Sequence, residues 1–154
     1  MSETSLMSPD AILAARAERP KLRARDLAAA LGVPEAALVA AETGRAATRI
    51  AAHPNALMPA VTELGEVMAL TRNDSAVHER VGSYLEYHPG EHATMVLGPE
   101  IDLRMFPKHW AHAFAVTEET EAGVRRSLQV FDAAGDAVHK VHLKPASDVA
   151  AFDR

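Results

Sequence analysis

Apolar and polar positions fall into two textures along this chain, and the change comes near Gly65. Before it, alanine- and leucine-rich runs are punctuated by helix signals. Ser8-Pro9 sets a capping hydroxyl and then a proline ahead of D-A-I-L-A-A-R-A-E-R, which predicts a helix running toward Pro20. Leu27 and Leu31 lie four apart before Gly32, so a second short helix stops there. Pro34 opens a third, E-A-A-L-V-A-A-E-T, which ends at Gly44. Residues 48–52 read as a short strand that His53-Pro54 breaks. Residues 55–64 read as a helix with Leu57, Val61 and Leu64 on one side, which Pro59 restricts to a start near Met58 or kinks.

After Gly65 the period shortens to two. Segments 66–71, 77–84, 92–97, 101–106, 109–117, 124–131 and 137–143 are strand-like, with turn residues between them at a spacing of about ten. The last two form a hairpin across D-A-A-G-D, and residues 147–152 begin a final helix. Consecutive short strands with tight turns mean an antiparallel sheet, and helices gathered at one end of the chain mean α+β. The expected architecture is one domain: short N-terminal helices packed on a large antiparallel β-sheet, with a C-terminal helix. Residues 1–64 form a mainly helical subdomain, and residues 65–154 form the sheet and the final helix.

The stretch G-P-E-I-D-L-R-M-F-P-K-H-W from Gly98 is the strongest candidate for chemistry. Alternation places Asp102, Arg104 and Phe106 on one strand face, with Leu103 and Met105 toward the core. A guanidinium two residues from a phenyl ring offers a fixed cation beside a flat apolar contact. That pair suits a planar aromatic ligand carrying carboxylates. An edge strand with a solvated arginine has the same pattern.

Composition narrows the remaining classes. With 16 Lys plus Arg against 21 Asp plus Glu, the net charge is −5, which argues against function mainly by phosphate neutralisation. The run L-A-A-A-L-G-V-P-E-A-A-L-V-A-A has the cadence of a helix-turn-helix, and a DNA-binding or regulatory module is the alternative reading. Its second helix, however, carries Glu35, Glu42 and alanines where base-reading side chains would sit. The absence of cysteine rules out disulfides, thiolate metal sites and C-x-x-C-H haem attachment. The start M-S-E-T-S-L-M-S-P-D lacks a basic segment and an apolar segment, and no run approaches a membrane span, so the expected location is the cytoplasm, without membrane insertion.

Eight histidines are many for 154 residues. His109 and His112 are three apart, as are His139 and His142, so neither pair can chelate from one strand face. His142 shares a face with Lys140 and Lys144 and reads as solvated or anion-facing, whereas His139 reads as half-buried. His112 falls in line with Trp110, Phe114 and Val116 as core or pocket lining. His78, His92 and His112 are weak candidates for an iron ligand. Arg125, Ser127 and Gln129 form a polar row that reads as a solvated sheet face or a carboxylate contact.

Several motifs in order carry a resemblance: A-L-T-R-N from Ala69, V-H-E-R-V-G-S-Y from Val77, L-G-P-E-I-D-L-R-M-F from Leu97, H-W at His109 and R-R-S-L-Q-V-F-D-A-A-G-D-A-V-H-K from Arg125. Together with the helical R-A-R-D-L-A-A-A-L-G-V, they resemble the bacterial hemin-degrading factor family, also called hemin transport factors, over nearly the whole chain. The resemblance implies two similar halves, of which this chain is like the first, and a haem cleft. The arginine and phenylalanine of the family's D-L-R-x-F motif match Arg104 and Phe106, which would line that cleft. It further implies haem b (iron protoporphyrin IX) as ligand, in bacterial iron acquisition by haem transport or degradation. Implied partners are a second homologous half or a homodimer mate, a haem importer and an electron donor. Any haem-oxygenase-like activity would belong to the full two-half protein. The family's axial histidine lies in the second half, beyond Arg154, and Pro107-Lys108 departs from the family pattern before H-W.

Overall fold

The computed structural model describes residues 8–18, 24–44, 46–72, 76–90, 93–120, 123–145 and 147–153. Three short helices come first, α1 (Pro9–Glu18), α2 (Ala24–Leu31) and α3 (Glu35–Ala41). Each begins and ends where the local chemistry requires. The Ser8 hydroxyl accepts from Ala11 N at 3.1 Å, and Gly32 takes the left-handed conformation (φ 72°) that ends α2. Helix α3 is mostly consumed by packing: Glu35, Ala36, Leu38, Val39 and Ala41 are buried, and Ala40 alone is exposed. A recognition helix must offer base-reading side chains to a groove, and the positions of this one left uncovered, Ala37 and Ala40, carry only methyl groups.

Strand β1 (Ala47–Ile50) follows, then α4 (Pro54–Thr62). The helix starts four residues before Met58, because the His53 ring accepts from Asn55 N at 3.0 Å and caps it. Pro59 lies inside the helix and has no N–H for the Asn55 carbonyl. The Tyr87 hydroxyl, 3.3 Å from that oxygen, supplies a donor instead. A proline expected to delay the helix is thus accommodated by a side chain from elsewhere in the chain.

The remaining strands are β2 (Glu66–Arg72), β3 (Val77–Ser83), β4 (Tyr87–His88), β5 (Thr94–Val96), β6 (Leu103–Met105), β7 (His112–Thr120), β8 (Gly123–Phe131) and β9 (Ala137–Leu143), before α5 (Val149–Asp153). Six form one antiparallel sheet in the order β1-β7-β8-β9-β2-β3, and three form a small sheet in the order β4-β5-β6. The α+β architecture is as expected, with a second sheet added. The short strand β4 has no alternation to announce it. The predicted strand 101–106 keeps only its middle, and the next begins late, because Pro107–His109 forms a 3-10 turn. Pro107 cannot donate to a ladder; instead His109 N and Trp110 N bond back to Phe106 O and Pro107 O, each at 3.0 Å.

The large sheet separates two cores. On one face, Ala113, Leu128, Val130 and Val141 pack with Leu57, Met58 and Val61 of α4 and with Val96, Met105 and Trp110 from the small-sheet region. On the other face, Phe114, Val116 and Phe131 pack with Ala36 and Val39 of α3. Trp110 was expected in line with His112 and Phe114. It precedes β7 and leaves the 3-10 turn toward the opposite face, where strand alternation does not apply. Among the described residues, no helix is long and apolar enough to cross a membrane.

Candidate functional site

The second half of the motif, residues 103–110, folds along one side of a cavity of about 170 Å³. Arg104, Phe106 and His109 line it from the small sheet and the 3-10 turn; Thr71, Val138 and His139 line it from the large sheet. Alternation holds through the motif: Met105 is buried, while Asp102, Arg104 and Phe106 are exposed, Phe106 at 47%. Among the described residues, no carboxylate lies within ion-pair distance of Arg104. The arrangement is an unneutralised guanidinium and a bare phenyl ring over a floor of Leu103, Met105 and Trp110. Such a surface receives the edge of a flat, apolar, acid-bearing molecule.

Asn55 holds this wall in place. Its Nδ2 donates to Gly90 O at 3.1 Å, and its Oδ1 accepts from the Thr94 hydroxyl. The small sheet that carries Arg104 is thereby tied to the N-terminal turn of α4.

The opposite wall contains a buried relay. His139 Nε2 bonds the Tyr84 hydroxyl, and Nδ1 lies 2.9 Å from Thr71 Oγ1. Burial raises the Tyr84 pKa, so the phenol keeps its proton. Burial first, and then the neighbouring His142, lower His139 to about 4, so the imidazole is neutral at physiological pH. Both ring nitrogens are thus engaged, and the neutral ring is held between the Tyr84 and Thr71 hydroxyls. His139 reaches the cavity wall through a bulge. Phe131 pairs with Ala137 and Val130 pairs with His139, leaving Val138 as an extra residue between them.

The other singled-out residues lie elsewhere. His78 is exposed on β3, and His92 lies outside the described residues. His112 lines a different cavity, on the opposite face of the large sheet. Among the described residues, no cluster of three or more histidine and acidic side chains could hold a metal ion. His142 is half-buried rather than solvated, and its pKa is lowered to about 4 by burial, then by Lys140 and Arg125. Ser127 and Gln129 are buried, not a solvated row, with Gln129 Nε2 donating to Ser127 Oγ at 3.0 Å. Sequence reasoning did not select His109 for the cavity; the H-W pair in the resemblance was the available signal. Thr71 has no local signal, because its role depends on a histidine 68 positions away.

Comparison with known proteins gives this geometry a context. A family model described as the haemin-degrading HemS.ChuX domain matches residues 32–154. The hemin transport protein HmuS of Yersinia pestis is 46% identical over 140 residues, covering 90% of this chain and 41% of that protein. The crystal structure of holo-PhuS, a heme-binding protein from Pseudomonas aeruginosa, superposes with a TM-score of 0.88 at 50% identity, covering 96% of this chain and 44% of that one. ChuS, an E. coli heme oxygenase, superposes at 0.85 with 36% identity, covering 92% and 43%. The chain therefore spans less than half the length of these relatives. A match over most of its residues, and relatives this similar, carry one conclusion: the chain belongs to the haemin-degrading HemS.ChuX domain family.

Proposed function

We propose that this chain supplies one wall of a haem-binding cleft used in bacterial iron acquisition, with haem as cargo or substrate. The observation that carries the reading is the uncommitted Arg104 guanidinium beside the exposed Phe106 ring on one cavity edge. Arg104 holds a propionate by charge-assisted hydrogen bonds, and Phe106 packs on the macrocycle. At about 170 Å³ the cavity is smaller than an ordinary ligand pocket, so it takes an edge of haem rather than the whole. A second homologous half, or a second copy of the chain, completes the enclosure and brings the axial ligand; haem b is the form proposed. The cytoplasm is the proposed location, with a haem importer upstream.

A hemin titration followed in the Soret region, with light scattering on the same sample, tests the reading. Wild type is expected to give a saturable band, and the Arg104→Ala, Phe106→Ala double variant a weakened one. The same Soret change for both would sink the proposal.

A second reading is haem degradation with an external electron donor. It is favoured by the 36% identity to ChuS, an E. coli heme oxygenase. In that case haem, as substrate, would itself supply the iron at which oxygen is activated. This chain's residues hold the propionate edge and present the neutral Thr71–His139–Tyr84 relay at the wall. Haem absorbance that persists under reductant and oxygen counts against it.

A further inference from the structure

The helix-covered face of the large sheet carries a second recess, of about 260 Å³, between α3, the β8–β9 turn and the start of β7. Its walls are apolar: Ala36, Ala37 and Ala40 on one side, and the Phe114 ring beneath. Arg49 and His112 supply the only polar side chains among its lining residues. They come from β1 and β7, which pair with Arg49 opposite Phe114.

The arginine is held without being neutralised. Its guanidinium carbon lies 5.5 Å from the Phe114 ring centroid, in cation–π range. Its Nη2 lies 2.7 Å from His112 Nδ1. A guanidinium can only donate, so Nδ1 is the acceptor and the ring carries its proton on Nε2. Among the described residues, no carboxylate is within ion-pair distance of Arg49. Arg49 is exposed, on the edge strand β1 of the large sheet. Here a ring face and an imidazole fix its orientation and leave the rest of its planar donor fork uncommitted.

We propose that this recess is a binding site for a small organic monocarboxylate with a flat apolar body, its carboxylate on Arg49 and its ring against the alanine wall. One cation beside a neutral imidazole matches a single negative charge better than a phosphate dianion. The volume, slightly below that of ordinary ligand pockets, limits the occupant to about one ring. The site is independent of Arg104 and Phe106, which lie on the other side of the sheet.

Benzoate is the probe. Histidine ring resonances of the 154-residue chain are followed by NMR during titration with sodium benzoate at constant ionic strength. Benzamide serves as the uncharged isostere and inorganic phosphate as the alternative anion. The His112 ring signals should shift saturably with benzoate and stay in place with benzamide. Arg49→Gln is expected to weaken binding about 10- to 100-fold, the scale of one charged hydrogen-bonded contact. Ala40→Leu, at an exposed position, narrows the recess while leaving Arg49 in place, and should also weaken binding. The proposal is overturned by His112 signals that do not respond to benzoate, by benzamide or phosphate binding as well as benzoate, or by either variant binding benzoate like wild type.

Discussion

Tyr84 and His139, 55 positions apart, share a buried hydrogen bond between the phenol and Nε2 that closes one wall of the Arg104 cavity. Burial of the ring disfavours its charged form, and this makes the stability of the fold depend on pH. In the folded chain His139 takes up a proton only near 4; unfolded, it does so near 6.5. The folded-state value is the lower one, so its contribution is fully present above about pH 6.5 and is lost as pH falls toward 4, by roughly 3 kcal/mol. His142 acts in the same direction. Urea unfolding followed from neutral pH down to about pH 4 should show the midpoint falling through this window. The His139→Gln variant should be less stable at neutral pH and lose less across the window. A constant wild-type midpoint would contradict the assignment.

Arg104 is expected to recognise carboxylate rather than macrocycle. Wild type should bind hemin more tightly than its dimethyl ester, by about 10-fold or more, the scale of one charge-assisted hydrogen bond. In Arg104→Ala the preference should disappear. Competition titrations of the two porphyrins against both proteins measure this directly, and an equal preference in both would remove Arg104 from the propionate site.

Asn55→Ala should release the small sheet from α4. The substitution removes the Gly90 and Thr94 contacts, at a cost of roughly 2–3 kcal/mol. Amide hydrogen exchange should accelerate in β4, β5 and β6 and hold steady in the β7–β8 ladder. Uniform acceleration throughout would mean that the asparagine serves global stability and not the pocket wall.

The ion pair between Lys140 and Glu35 joins β9 to α3, with side chains only 14% and 8% exposed. Removing one partner leaves a buried charge alone, and for Glu35→Ala it leaves Lys140 near His142 as well. That variant should lose about 3–5 kcal/mol, whereas the Glu35→Leu, Lys140→Met pair should lose much less. Denaturant midpoints of the three proteins decide it. Equal losses would show that packing volume matters here and charge pairing does not.

What could be read from the sequence depends on how far each determinant acts. Residues 137–143 show a strand because period-two alternation and a D-A-A-G-D turn are both local, and β9 has those bounds. Arg104 and Phe106 share an exposed side for the same reason. The 3-10 turn at Pro107 moves Trp110 to the other core, and only the missing amide of one residue hinted at it. Pro59 sits inside α4 because Tyr87, far along the chain, supplies a hydrogen bond. Nothing local marks Arg49, since its partner His112 comes from strand pairing across 63 positions. The neighbours Val141 and Leu143 predict a half-buried His139, which the structure buries. Its two hydrogen bonds required knowing that β2 lies beside β9.

The bulge at Val138 has a consequence for how this cavity can vary. Strands normally punish a change of one residue, because every later side chain turns to the wrong side. Here the surplus position already lies between Ala137 and His139, so its loss would restore a regular ladder with Phe131 still opposite Ala137 and Val130 still opposite His139. Deleting Val138 would therefore widen the cavity by one valine while His139 still faces it and Lys140 still faces α3. The hairpin carries a built-in adjustment of pocket volume that operates through chain length and leaves the chemistry of both faces untouched.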